Sequence, residues 1–379
     1  MQKKKRRRPI RYRIFMIIFI SILIFGGAQL LHIAKNLLGY GEIDFEKVVT
    51  IEYKEDQNRK IYPFVQGMVI YDQKVLKKYN LKGIEEWSVN KPIKNPIITT
   101  SEKNVFLADK TTGEIIAFDD KGNKVFSISL EKPIQNMVSN KDGVLALYSQ
   151  NEKNTEIYTF DAEGKKQGQI IIDQGNILDM AISNEGWIGI SVMGIEDNTL
   201  ETKVVLYSKE GKLLGGNKYK DQVITNIFFS ETGDLLNVGI KKVMAFSKTN
   251  GPLWSKDLPS SIGKVSWNEK GYGIFYLINH KKSIIDTKST NYLEVIDIKG
   301  KELSNIPIKG EVLGIDNYNN SFIAFTERTL YFSKKGKELI EKKINNDIQD
   351  IHMIKEDELI LVLQNKVQIL KVKYKEKEK

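Results

Sequence analysis

Residues 115–128 read IIAFDDKGNKVFSI, two short alternating apolar runs joined through Asp119-Asp120-Lys121-Gly122-Asn123. Alternation with period two is the mark of a strand with one buried face, and a glycine between two such runs marks a tight hairpin turn. The turn needs a residue at positive φ, which a Cβ resists. The same unit recurs as VLKKYNLKGIEEWSV (75–89), EIYTFDAEGKKQGQI (156–170) and KVVLYSKEGKLLGG (203–216). It returns as KVMAFSKTNGPLWSK (242–256), YLEVIDIKGKELSNI (292–306) and RTLYFSKKGKELIEK (328–342). The turn glycines are Gly83, Gly122, Gly164, Gly211, Gly251, Gly300 and Gly336, spaced by 39, 42, 47, 40, 49 and 36 residues.

A second strand pair lies upstream of each hairpin, as in IQNMVSNKDGVLALYS (134–149), ILDMAISNEGWIGISV (177–192), ITNIFFSETGDLLNVG (224–239) and IGKVSWNEKGYGIFYL (262–277). Four strands in roughly 40 residues is the period of a propeller blade. One blade cannot bury both faces of its own sheet, so neighbours must stack around a ring. Seven full units begin near residues 61, 93, 134, 177, 223, 262 and 312, and residues 348–373 supply three strands more. The early run Val48 to Tyr53 has no partner of its own. Placed as the fourth strand of the last blade, it closes the ring and removes the exposed edges that invite aggregation. The expected fold is therefore all-β, a β-propeller of eight blades (with seven as the alternative count), preceded by one transmembrane helix.

That helix is expected over Ile14–Ala34, IFMIIFISILIFGGAQLLHIA, an apolar run without a formal charge. At ~1.5 Å per residue it is long enough to cross a bilayer's hydrocarbon core. Eight positive charges precede it, which by the positive-inside rule places residues 1–13 in the cytoplasm and the remainder outside. Gly26-Gly27-Ala28 has the small-residue character of a signal-peptide cleavage site, but apolarity continues beyond it through Leu30, Leu31 and Ile33. The organisation read from the chain is a basic tail (1–13), the anchor (14–34), a linker (35–46), the propeller (47–374) and a charged tail (375–379).

Of the formal charge of +10, eight units belong to residues 1–13, leaving +2 for the rest. The high isoelectric point thus belongs to the topology signal, and a nucleic-acid groove is not expected. There is no cysteine, so disulfides, thiolate metal sites and a cysteine nucleophile are excluded.

Ala108-Asp109-Lys110-Thr111-Thr112-Gly113 and Ala245-Phe246-Ser247-Lys248-Thr249-Asn250-Gly251-Pro252-Leu253-Trp254 resemble degraded copies of the quinoprotein-like propeller motif, Ala, Asp, Thr-Gly and then Trp. In that motif the Trp docks one blade on the next, which would make Trp87 and Trp254 blade-docking aromatics. Phe126, Leu214, Leu303 or Leu339 stand nearby in other blades. The layout of basic tail, single anchor and outer propeller is similar to a membrane-anchored family of unknown function from clostridia and related Gram-positive bacteria. The quinoprotein resemblance implies, as one alternative, an extracytoplasmic quinone-dependent dehydrogenase, and a hydrolase on the same propeller is a further alternative.

The residues give that alternative little to work with. Asp109, Asp119 and Asp161 stand at turns, where a short carboxylate caps backbone N–H groups. His32, His280 and His352 occur in unrelated contexts without metal-ligand spacing, and no Gly-x-Ser-x-Gly elbow or phosphate loop is present. No cofactor, metal or catalytic residue is assigned. The more informative feature is an asymmetry of loops between second and third strands. Most are short (Ile240-Lys241, Glu327-Arg328), but Gln150–Thr155, Met193–Lys203 and Asn279–Asn291 are long and should share one face. Loops carry function because insertions there leave the stacked sheets undisturbed. The candidate binding residues are Gln150, Asn151, Asn154, Glu196, Asp197, Asn198, His280, Lys281 and Asp286. The expected role is a membrane-tethered binding or scaffolding module for an envelope protein or wall glycan.

Overall fold

The computed structural model describes residues 43–53, 59–249, 251–279, 291–334 and 338–374. It contains eight four-stranded antiparallel sheets, the blades of a β-propeller. The described strands of blades 1 to 7 span 60–90, 96–129, 136–172, 176–220, 224–257, 261–308 and 314–343, each within three residues of the start read from sequence. Blade 8 takes three strands from 348–374 and its outermost strand, Ile43–Glu52, from the other end of the chain. The closing strand therefore exists, and it begins inside the stretch read as a linker. The expected anchor, 14–34, and both expected tails lie outside the described residues, and among the described residues no helix is long and apolar enough to cross a membrane.

Ring closure is carried by Tyr53 N–H, which donates to Asn365 O at 2.9 Å, by Tyr53 Oη to Leu363 O at 2.9 Å, and by Gln368 Nε2 to Thr50 Oγ1 at 3.3 Å. Beneath this ladder Val49, Ile51, Ile360, Val362, Val367 and Ile369 of blade 8 share one apolar cluster with Ile61, Met68 and Ile70 of blade 1. Comparable clusters join blades 1 and 2 (Tyr71, Leu76, Val105, Leu107) and blades 4 and 5 (Val204, Leu206, Ile227, Phe229). Burial on both sides explains the second strands, whose runs VFLA (105–108) and FIAF (322–325) are apolar without alternation and buried throughout. Outer strands such as Glu85–Asn90 and Pro252–Asp257 alternate because only one face meets a neighbour. The compact ring unit runs from Lys47 to Lys371. The described stubs 43–46 and 372–374 fall in a second unit, in which Lys373 Nζ lies 2.6 Å from Glu46 Oε2.

One five-residue turn is used repeatedly. Asp119 N–H donates to Asn123 O (3.0 Å), Gly122 N–H to Asp119 O (3.1 Å), and Asp119 Oδ1 accepts the N–H groups of Lys121 and Asn123. Asn80, Asp161 and Asp297 repeat this arrangement, with the turn glycine at positive φ. Ser208 and Ser247 stand at the same first position in blades 4 and 5. Blade 5 departs by one residue: Ser247 N–H donates to Gly251 O, so Gly251 takes the place that Asn123 holds. The side-chain cap at the first position is the turn chemistry expected of Asp119 and Asp161, and Asp109 caps Thr111 N–H in the same way.

These turns are also the docking points between blades. The Trp87 ring lies on Gly122 of the next blade, with its Nε1 donating to Asp120 O at 2.9 Å. Trp254 lies on Gly300, with Nε1 donating to Ile298 O at 2.6 Å, and Phe126 covers Gly164. Val49 of the closing strand covers Gly83, so the joined blade docks as the continuous ones do. Leu214 and Leu303, named above beside the docking position, are instead exposed. They sit one residue out of phase with the packed position, and strand alternation turns them outward.

A Cβ on Gly300 would meet the Trp254 ring at 2.8 Å at a φ of +81°. Trp254→Ala and Gly300→Ala are each expected to cost about 2–4 kcal/mol in urea unfolding. Leu303→Ala, a neighbouring exposed residue, is expected to cost under about 0.5 kcal/mol.

Candidate functional site

The stretch Met193–Lys203, read from sequence as a long loop, is built as a continuation of the ladder. Strands Ile188–Glu196 and Thr199–Tyr207 pair in unbroken register out to Glu196 opposite Thr199. Only Asp197 and Asn198 remain as the turn, with φ of +51° and +59°. Positive φ at both central residues defines the hairpin turn whose twist matches the flanking strands, and Asx residues tolerate it best after glycine. Polarity hid the strands: Glu196, Asp197, Asn198, Thr199 and Glu201 read as loop because no neighbouring blade requires an apolar face there.

The hairpin stands beside a cavity of about 500 Å³. Its walls are Val192, Met193, Ile195 and Leu200, together with the 174–176 crossing from blade 3. Ile195 is 77% and Leu200 37% exposed, an apolar tip on a polar stem. At the root, Glu196 Oε2 lies 2.8 Å from Lys203 Nζ and 3.2 Å from Lys218 Nζ, and both lysines also approach Glu201 Oε1, at 3.4 and 3.5 Å. The Lys203 hydrogen bond, then that of Lys218, lowers Glu196 to about 2. Glu201 is buried, and its Oε1 makes no hydrogen bond. The four charges sum to zero and brace the stem.

Among the candidates, Gln150 Nε2 donates to Asn176 Oδ1 (3.2 Å), bringing the blade 3 loop to the rim of the cavity that Glu196 lines. Asn151 and Asn154 are occupied by their own turn, where Asn151 Oδ1 accepts Lys153 and Asn154 N–H. His280, Lys281 and Asp286 lie outside the described residues. Trp87 and Trp254 sit at the blade junctions, apart from this cavity. The hairpin also lies on the ring face opposite Lys47 and Lys371. The antiparallel register of Thr50 with Gln368 sets Lys47 beside Lys371, and Lys371 pairs with Glu358 at the turn between the first and second strands of blade 8. Chain entry and exit thus share the tight-turn face, and the second-to-third-strand hairpin occupies the other.

A second constellation was not read from the sequence. Innermost strands carry an Ile-x-Asp/Asn pattern at Asn136, Asp179, Asn226 and Asp350, with Asp316 at the same strand position. Asn136, Asp179, Asp316 and Asp350 each accept the following residue's N–H at 2.8–2.9 Å. At Asp179 and Asp350 the ladder shifts register at this residue, which frees that N–H for the side chain, and the ladder shifts at Asn226 too. Asp179 Oδ2 also accepts Ile227 N–H of blade 5 (2.9 Å), and Asp316 Oδ2 accepts Met353 N–H of blade 8 (2.6 Å). These carboxylates staple adjacent blades near the axis. The repeated pattern was the available signal. His352 Nε2 lies 3.5 Å from Asp350 Oδ2, and among the described residues no group of three His, Cys, Asp or Glu is placed to hold a metal ion.

Burial raises Asp179 to about 6, against the opposing pull of the Ile227 and Met180 amides. A folded value above the unfolded one means the full contribution is present below about pH 4 and is lost as pH rises through 6. Between pH 4 and 7 the protein should lose on the order of 2–3 kcal/mol relative to Asp179→Asn, whose stability is flatter with pH. Urea unfolding of both proteins at several pH values measures that difference.

Comparison with solved structures returns propellers. BamB from Moraxella catarrhalis is 13% identical over 88% of this chain and 100% of its own, with a TM-score of 0.57. Apo AztD from Citrobacter koseri is 10% identical over 80% and 90%, at 0.56, and the Dos1 propeller 10% over 86% and 95%, at 0.60. At such identities the likeness is one of fold alone. No curated protein matches the sequence. The family model described as "Family of unknown function (DUF5711)" matches residues 40–372, the closing strand and all eight blades, and the chain belongs to that family.

Proposed function

We propose that the protein is a binding module of the cell envelope, anchored by residues 14–34 with its propeller outside, that presents the blade 4 hairpin and its cavity to a partner. The observation that carries this reading is the cavity of about 500 Å³ beside an exposed apolar tip, a size and lining typical of ligand and partner sites. The braced charge pairs at the stem support it, since rigid display lowers the ordering cost of binding. The ring strands at Lys47 and Lys371 reach the tight-turn face, so the hairpin occupies the face away from them, open to an envelope protein or glycan. The axial carboxylates are engaged in holding blades together, which assigns them to the scaffold.

The chain's lack of cysteine permits a clean test of side and face. In intact cells, a membrane-impermeant maleimide should label Asn198→Cys, and a photo-crosslinker placed there should yield a discrete envelope adduct. The same crosslinker at Lys121, on the opposite face, should not. Unlabelled Asn198→Cys in intact cells that labels after lysis would contradict the location, and identical adducts from both positions would contradict the face.

A further inference from the structure

We propose that strand 194–196 of blade 4 is an open edge that takes an extended peptide segment of a partner as an added strand, with one apolar side chain of that segment in the cavity. This deepens the preceding reading and rests on it. The innermost strand of blade 4 stops where Asn176 faces Met193, so Gly194, Ile195 and Glu196 pair only with the third strand. In a hairpin closed by a two-residue turn, the flanking pair exchanges hydrogen bonds and the next pair does not. Glu196 and Thr199 are the flanking pair, so the N–H and C=O of Ile195 and Leu200 point away from each other's strand. On the Leu200 side the outward carbonyl is used, accepting Asp221 N–H at 2.9 Å. On the Ile195 side no described residue answers, which leaves one donor and one acceptor aimed outward beside the cavity.

The side-chain space beside this couple is also vacant. A Cβ on Gly194 would find nothing nearer than Gly175 Cα at 3.9 Å. Glycine inside a strand costs stability and often marks close approach of another backbone or a ligand. Gly175, at φ +99°, lies so close to Val192 and Met193 O that no side chain fits there either. The buried Glu201 Oε1 at the cavity wall is held between Lys203 and Lys218, which keeps that wall charge-balanced. Because the stem charges cancel, selection falls to main-chain pairing and an apolar anchor, the recognition mode of strand addition. The chemistry fitted is a peptide of alternating apolar residues.

Random octapeptides displayed on phage and selected against the full-length protein provide the probe. Two variants isolate the edge. Gly194→Leu fills the vacant space, and Ile195→Pro removes the outward N–H while breaking no ladder hydrogen bond. Selected peptides should be alternating and apolar, bind each variant at least tenfold more weakly, and lose binding when N-methylated at alternate residues in one phase only. Failure to enrich any peptide, or equal affinity for both variants, would overturn the proposal. An envelope adduct from Asn198 that persists in Ile195→Pro would leave the binding face standing and remove the strand-addition reading.

Discussion

Everything in this structure depends on a short ladder between the two ends of the chain. Tyr53 against Asn365 and Thr50 against Gln368 give blade 8 its fourth strand, and Val49 then seats on Gly83 as an outer-strand residue does at other junctions. Without it, the third strand of blade 8 would be an open edge and the apolar faces of blades 8 and 1 would meet water along one seam. An open ring also loses angular constraint on its other blades, because each is held by its two neighbours. The closing contact spans more than three hundred residues of sequence, so it can form only after the rest of the ring has largely assembled.

Two local devices make the ring regular. At its periphery, a capped five-residue turn presents a glycine, and an aromatic or aliphatic side chain from the preceding blade rests on it. Near the axis, an Asx side chain caps the next residue's N–H, at a bulge in blades 4 and 8, and in blades 4 and 7 it also reaches the next blade. Both are hydrogen-bonding solutions to one problem, the pinning of tilted sheets at a fixed angle where apolar packing alone would allow sliding. The outer device tolerates substitution: Trp87, Phe126 and Trp254 fill the seat, whereas Gly168 lets the blade 4 turn come down onto the backbone itself. That tolerance accounts for the partial match of this chain to the quinoprotein-like motif.

The fold was legible because each blade repeats the same physical constraints. Second strands buried on both faces must be apolar throughout, outer strands must alternate, and the turn must supply a residue at positive φ. Blade starts could be placed within three residues on those grounds, and the unpaired run at 48–53 implied closure. The site was less legible. Residues 193–203 lack the apolar alternation that reveals a strand, since the extended hairpin has no blade against it, and so an ordered ladder looked like a loop. Gln150 and Glu196 were singled out for loop length, yet what joins them is Asn176, a residue with no sequence signal. The axial Asp/Asn pattern was visible in the repeat but is spread over five blades and marks no motif of known chemistry.

A rigid, closed ring bearing one stiff, partly unpaired hairpin is the central claim, and amide hydrogen exchange on the full-length protein tests it most directly. The account predicts that amides of 47–52 and 366–371 exchange only with global unfolding, at the same rate as the second strands of blades 2 to 7, while the Ile195 amide exchanges orders of magnitude faster. Exchange of the closing strands at the rate of Ile195, with the other blades still protected, would show an open ring and contradict it.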